Sequence, residues 1–349
     1  MDLPGAPPDI DAVIAWVDGA DPAHQKKLHA WLGTVAKVNR GAADPTRFGD
    51  CGEIEYCVAS LLRYAPWLRR IHIVSDAQTP ALIARLRGTA FESRVQVVDH
   101  RVIFAGYEQF LPTFSSLSIE TMLWRIPGLA ERFIYLNDDF QLLRAVATED
   151  FFRDGGVVLR GKWRGGAARH LGQRLKSFLL RVLGRSGKPA AASNHTAQQQ
   201  TAAMIGFRER YFQVPHCPHP MRRTLLAAYF AEHPEALADN LAYRLRAEEQ
   251  FLLVGLADHL ELKAGTARID NRLKTLRLKP RSGQLGTLSR QLAGADADLQ
   301  LAFGCVQSLD LTSAPARRLV FDWLDRRIGR LGDLVTANGS AAPRETARE

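Results

Sequence analysis

The chain has 349 residues, 46% of them hydrophobic and 24% charged, with a formal net charge of +9. That balance excludes a wholly disordered, collagen-like or coiled-coil chain and leaves length for a sizeable buried core. No apolar run reaches the roughly 20 residues of a membrane-spanning helix, and the N-terminus lacks the basic start and cleavage site of a secretory signal, so a cytoplasmic protein is expected.

In chain order, the apolar run over 11–16 ends in the acidic turn VDGAD, which predicts a buried strand with functional acids at its tip. Residues 52–64 (GEIEYCVASLLRY) place Ile54, Cys57, Val58, Leu61 and Leu62 at helical spacing and stop near Pro66. IHIVSD (71–76) and VQVVD (95–99) are β-branched runs ending in Asp, with a helical ALIARLRG between them, and FIYLNDDF (133–140) repeats the pattern. Four short strands ending in acids and separated by helices predict an α/β sheet with ligands at the carboxyl ends of its strands.

From Gly155 to Arg208 there is no Asp or Glu, while ten Lys and Arg fall there. Such asymmetry predicts attraction to an anionic partner, and nucleic acid, acidic lipid, anionic polysaccharide and a nucleotide-sugar all qualify. Residues 168–185 (ARHLGQRLKSFLLRVLGR) read as a basic amphipathic helix, suited either to packing on the core or to lying on an anionic membrane surface. Against nucleic acid, the basic stretch lacks interleaved stacking aromatics. Residues 188–202 read as a polar loop or weak helix start, 220–260 as mostly helical with a break near Pro234, and 263–283 as basic and irregular. A last helix is expected over about 316–330, followed by a disordered tail over 336–349. Cys51, Cys57, Cys217 and Cys305 are scattered without CxxC or zinc-finger spacing, so reduced thiols are expected.

The sharpest local signal is Asn137-Asp138-Asp139 at a strand end. Adjacent carboxylates there can hold a hard divalent cation through oxygen, and such a cation neutralises a diphosphate. Glu120 lies on a predicted helix just before that strand, and Asp18, Asp21 and Asp50 occur where other elements begin. In HCPHPMRR (216–223), His216 sits between prolines and titrates near neutrality, as a general base must. Arg47 and Arg246 offer two-pronged donors to phosphate oxygens, although nothing in their spacing separates them from other arginines.

Together these segments resemble the Stealth family of sugar-phosphate transferases. IDAVIAWVDGADP is similar to its first motif; RFGDCGEIEYCVASLLRYAPWLRRIHIVSDAQTP with LPTFSSLSIETMLWRIPGLAERFIYLNDDFQL is similar to its second. HCPHPMRRTLL with YRLRAEEQ is similar to the third, and FGCVQSLDLTS is a weaker echo of the fourth. Departures are Tyr243, where the third motif often has His, Glu248 and Glu249 in place of its usual acids, and Gln307-Ser308, where the fourth commonly has Asn-Asp.

The resemblance implies transfer of a hexose-1-phosphate from a nucleotide-diphosphate sugar to an acceptor hydroxyl on a glycan or glycolipid, with release of a nucleoside monophosphate. It implies a Rossmann-like nucleotide-sugar transferase core with a mainly helical insertion (about 155–210) and C-terminal part, in one catalytic domain over 1–335. His216, Asp139, Glu120 and Arg246 fall on family active-site positions. Asp139, Asp138 and Glu120 are assigned to Mg2+ or Mn2+, and Asp18, Asp21, Arg47, Asp50, Ser115, Ser116 and Asn137 to substrate binding. An ordinary metal-dependent glycosyltransferase releasing a nucleoside diphosphate, or a non-catalytic protein binding anionic glycans, would share the same composition.

Overall fold

Alternate residues of β1 (Ile10–Ala15) enter two different apolar clusters: Ile10, Ala12 and Ile14 one, Val13 the other. The same division holds for β4 (Arg132–Asn137), where Ile134 and Leu136 oppose Phe133 and Tyr135. The sheet is therefore covered on both faces, which is why its strands read as nearly continuous apolar runs. The computed structural model describes residues 9–34, 45–165, 194–280 and 284–339.

With β2 (Arg70–Ser75), β3 (Val95–Asp99) and β10 (His219–Arg222), these strands form a five-stranded sheet in the order β10-β4-β1-β2-β3. All neighbours run parallel except β10, which pairs antiparallel with β4 at the edge. The predicted α/β class holds. The connections include α1 (Pro22–Leu32) and α2 (Glu53–Tyr64) between β1 and β2, α3 (Leu82–Leu86) before β3, and α4 (His100–Ile103) and α5 (Ser116–Met122) before β4. All five apolar positions named for α2 are buried, Glu53 and Glu55 face its positively polarised first turn, and the helix ends at Ala65, before Pro66.

Register aligns the strand tips: Ala15 pairs with both Val74 and Asn137, and Ser75 with Asp99. Beyond β4 the chain turns through Asp138-Asp139 into β5 (Phe140–Leu142). A second sheet, β12 (Lys274–Leu278), β13 (Leu301–Val306) and β5, opposes Cys305 to Phe140 and sets the Val306 amide on the Asp139 carbonyl (2.9 Å). Gln307 and Ser308 are thereby carried to the tip of β4.

The structure bears on three expectations. The described part of the insertion contains β7 (Gly156–Leu159), which pairs with β6 (Phe152–Arg153) just before it, β8 (Lys162–Gly165), β9 (Arg210–Gln213) and one helix, α6 (Asn194–Met204). Its described part is therefore of mixed type, and residues 166–193 between β8 and α6 lie outside the described residues. Within 263–283, expected to be irregular, β11 (Ala267–Ile269) pairs with β7 and β12 pairs with β13; both are edge strands, whose polar open side hides the strand pattern. After α10 (Leu285–Ala297), the final helices are α11 (Ala314–Arg327) and α12 (Leu331–Gly339), so the boundary expected at 335 falls inside a helix. The basic helix expected over 168–185 and the tail beyond 339 lie outside the described residues. The break near Pro234 is present: it opens α8 (Pro234–Leu241), after α7 (Arg223–Glu232) and before α9 (Leu253–Ala264). All four cysteines are free, and no described helix is long and apolar enough to cross a membrane.

Candidate active site

A cavity of about 270 Å3 opens over the carboxyl ends of β1, β2 and β4. Its walls include Arg47, Glu53, Ser116, Asn137, Asp138, Asp139, Arg246, Gln307 and Ser308. Gly19 brings one wall in: its amide donates to the Phe48 carbonyl (2.7 Å), and a Cβ there would lie 2.5 Å from that oxygen. Gly52, with φ +100°, turns the chain into α2 in a conformation that other residues rarely adopt.

Carboxylates crowd one end of the cavity. Burial pushes Asp138 well above the usual range, and Asp139, Glu53 and Asp50 push it further in the same direction. Burial raises Asp139 to about 6, although hydrogen bonds from Cys305 and Gln307 act to lower it. Cys305 Sγ stands 3.8 Å from Asp139 Oδ2, while Oδ1 is buried without a partner. Glu53, raised to about 7 by burial, Asp50 and Asp139, accepts the Cys51 amide at 2.6 Å. Like charges gathered in a buried site resist ionising together, and a bound cation removes that penalty. Among the described residues no set of three His, Cys, Asp or Glu side chains is arranged to hold a metal ion.

Elsewhere in the lining, Arg246 Nε donates to Ser116 Oγ at 2.9 Å. Its loop is anchored by buried Gln250, which accepts from Ser115 Oγ (2.9 Å) and donates to Ser118 Oγ (2.9 Å) and the Asn240 carbonyl (2.8 Å). Glu120, 6% exposed, sits behind this wall within reach of Ser116 and Tyr135; burial raises it and the Arg246 charge opposes the rise.

The structure therefore brings Arg47, Ser116, Asn137, Asp138, Asp139 and Arg246 onto one cavity, with Ser115 and Glu120 behind it. Glu120 faces Arg246, and the charges acting on Asp138 come from Asp139, Glu53 and Asp50 instead. Asp18, Asp21, Asp50 and His216 are not in the lining. Asp21 caps α1 through the Ala23 amide (2.7 Å), and Asp50 receives Trp16 Nε1 (2.9 Å) and the Gly52 amide (2.7 Å). His216 packs edge-on against Phe140, centroids 6.4 Å apart, and burial followed by the Arg277 charge lowers its pKa. Sequence reasoning passed over Glu53, His24, Asp76 and His100, all of which line the cavity. Glu53 carried a signal as an acid opening a strongly periodic helix, and Asp76 as the acid that ends the run over 71–76.

Residues 8–36 match the family description Stealth protein CR1, conserved region 1, and 47–159 match Stealth protein CR2, conserved region 2. The chain belongs to the Stealth family. An exopolysaccharide phosphotransferase of Streptomyces coelicolor is 34% identical over 253 residues, covering 72% of this chain and 25% of that protein. A capsular polysaccharide phosphotransferase of Actinobacillus suis is 39% identical over 151 residues, covering 43% of this chain and 39% of that protein. This Stealth chain thus spans from a quarter to two fifths of those relatives' lengths. Among solved structures, an active-site mutant of LgtC is similar at 14% identity and a TM-score of 0.42, over 89% of this chain and 94% of that one. The two Stealth regions contain both the acidic end of the cavity and Ser116, whereas His216, Arg246, Gln307 and Ser308 lie outside them.

Proposed function

We propose that this Stealth chain transfers a sugar 1-phosphate from a nucleotide-diphosphate sugar to a hydroxyl of a glycan or glycolipid acceptor in making an extracellular or capsular polysaccharide. The supporting observation is one cavity holding the raised Asp138-Asp139 pair, with a carboxylate oxygen lacking a partner, together with an arginine fixed by Ser116. In the reaction the acceptor oxygen bonds to the phosphorus next to the sugar. The bond from that phosphorus to the bridging oxygen breaks, and a nucleoside monophosphate leaves.

Asp138 and Asp139 would hold Mg2+ or Mn2+. Two carboxylates suffice, because such ions complete their shells with water and substrate phosphate oxygens rather than an all-protein cage. A cation there would supply neutralisation of the diphosphate. Arg246 stabilises charge on the transferred phosphoryl group, and Arg47 binds on the donor side. Glu120 keeps Arg246 oriented. His216, held neutral by burial, takes the acceptor proton; its ring rests on the residue after Asp139. Asp18, Asp21 and Asp50 serve the donor side by shaping the loops after β1 and before α2.

Purified protein incubated with UDP-, GDP- and CDP-sugars, a divalent cation and short glycans is expected to release a nucleoside monophosphate, read by mass spectrometry, with a phosphodiester-linked product. Asp139→Asn and His216→Ala each lower turnover about 100- to 1000-fold without a change in circular dichroism. Mg2+ raises the Tm of the parent chain and not that of Asp139→Asn. Release of a nucleoside diphosphate would instead make the chain an ordinary glycosyltransferase. Salt-sensitive glycan binding without turnover would make it a binding protein.

A further inference from the structure

The cavity straddles β1, the strand on either side of which the sheet order reverses, and its two ends differ chemically. Beyond β4 lie the carboxylates. On the other side, over the tips of β1, β2 and β3, lie His24 near the start of α1, Asp76 just after β2 and His100 at the start of α4. His24 is 5% and His100 4% exposed. Neither ring nitrogen of His24 has a hydrogen-bond partner, and Nδ1 of His100 has none. An unpaired buried donor or acceptor costs about 1–3 kcal/mol, so three in one corner of a cavity point to a ligand that completes them.

The chemistry of the corner selects among the parts of a nucleotide-sugar. Burial lowers both imidazoles, His100 to about 4, so at neutral pH each is uncharged and offers one N–H and one lone pair. Phe48 and Phe114 flank His24, with ring centroids 5.4 and 5.5 Å from it. Of the charges beside the pair, Asp76 and Lys27 bind each other at 2.7 Å, and Asp18, Asp21 and Asp99 each accept from backbone amides. A diphosphate calls for cations, and here Lys27 is paired with Asp76 while Arg246 is held at Ser116. An uncharged, planar group with donors and acceptors around its edge fits aromatic walls and neutral imidazoles.

We propose that His24 and His100 read the nucleobase of the donor, placing the base over β1–β3 and the diphosphate toward Asp138, Asp139 and Arg246. This rests on the nucleotide-sugar reading above. The topology agrees: in open α/β sheets, nucleotides lie across the carboxyl ends of the strands where strand order reverses.

The test is calorimetric titration of the parent chain and its variants with UMP, CMP, GMP, AMP and ribose 5-phosphate, the last lacking a base. The ratio of the ribose 5-phosphate Kd to that of the tightest nucleotide measures base recognition. The parent chain is expected to show a ratio of at least about tenfold. His24→Ala and His100→Ala each lower it by up to about tenfold, the equivalent of one lost hydrogen bond, with ribose 5-phosphate binding held. His24→Gln and His100→Gln, whose carboxamide keeps a donor and an acceptor, recover part of the loss. Arg246→Ala weakens both probes. A ratio unchanged within twofold in both alanine variants, or equal weakening of both probes by them, overturns the assignment while the nucleotide reading stands. If no nucleotide binds the parent chain, both fall together.

Discussion

Asp11 and Asp139 sit at opposite ends of neighbouring strands of one sheet, and their surroundings give them opposite chemistry. Asp11, fully buried at the start of β1, receives Arg69 Nη2 at 2.6 Å, the Ala130 amide at 2.8 Å and His72 Nε2 at 3.2 Å. Burial alone would raise it, but these partners hold it at about 2. Because its folded pKa lies below its unfolded one, it stabilises the fold above about pH 4, and that contribution fades as pH falls towards 2. Asp11→Asn should therefore lose on the order of 2 kcal/mol at pH 7 and show a shallower loss between pH 4 and 2, measured by urea unfolding. An unchanged acid limb would exclude this role. Asp139 has partners on one oxygen only, and its pKa is raised. The residue type was legible in the sequence at both positions. Its role was not, because the partners come from residues 58 to 166 positions away.

The elements differ in how plainly the sequence announces them. The parallel strands and α2 are legible because burial on both faces, or on one helical stripe, leaves a periodic apolar record. The edge strands β11 and β12 leave none: Lys274 and Arg277 face water along a strand paired on one side. The loop carrying Arg246 falls in a stretch whose sequence reads as mostly helical, and its position comes from hydrogen bonds between Gln250 and α5 with its cap. Gln250→Ala is expected to release that loop, lowering kcat about tenfold or more with a smaller change in KM, since a displaced charge stabiliser acts mainly on the transition state. A rise in KM with kcat unchanged would place Arg246 in ground-state binding instead.

At the scale of the whole molecule, charge is the property the fold explains least. The acid-free stretch 155–208 is basic in sequence, and its central part lies outside the described residues. We propose that the segment 168–185, amphipathic in sequence, attaches the protein to anionic membrane surfaces. Flotation with vesicles should recover more protein with anionic than with neutral lipid, and less as salt rises. Equal recovery with both lipids would remove the electrostatic argument. The described fold contributes a main sheet with apolar clusters on both of its faces.

What the sequence by itself determined is the four parallel strands of the main sheet, the acids at their tips and the family, because local periodicity and linear motifs are properties of neighbouring residues. What only the tertiary structure decided is which of those acids share a cavity and which cap helices. It also brought His24 and His100, 76 positions apart as lone histidines with no local signature, into one corner. The physical reason is that sheet order and register set which strand tips lie side by side, and burial there sets each group's charge.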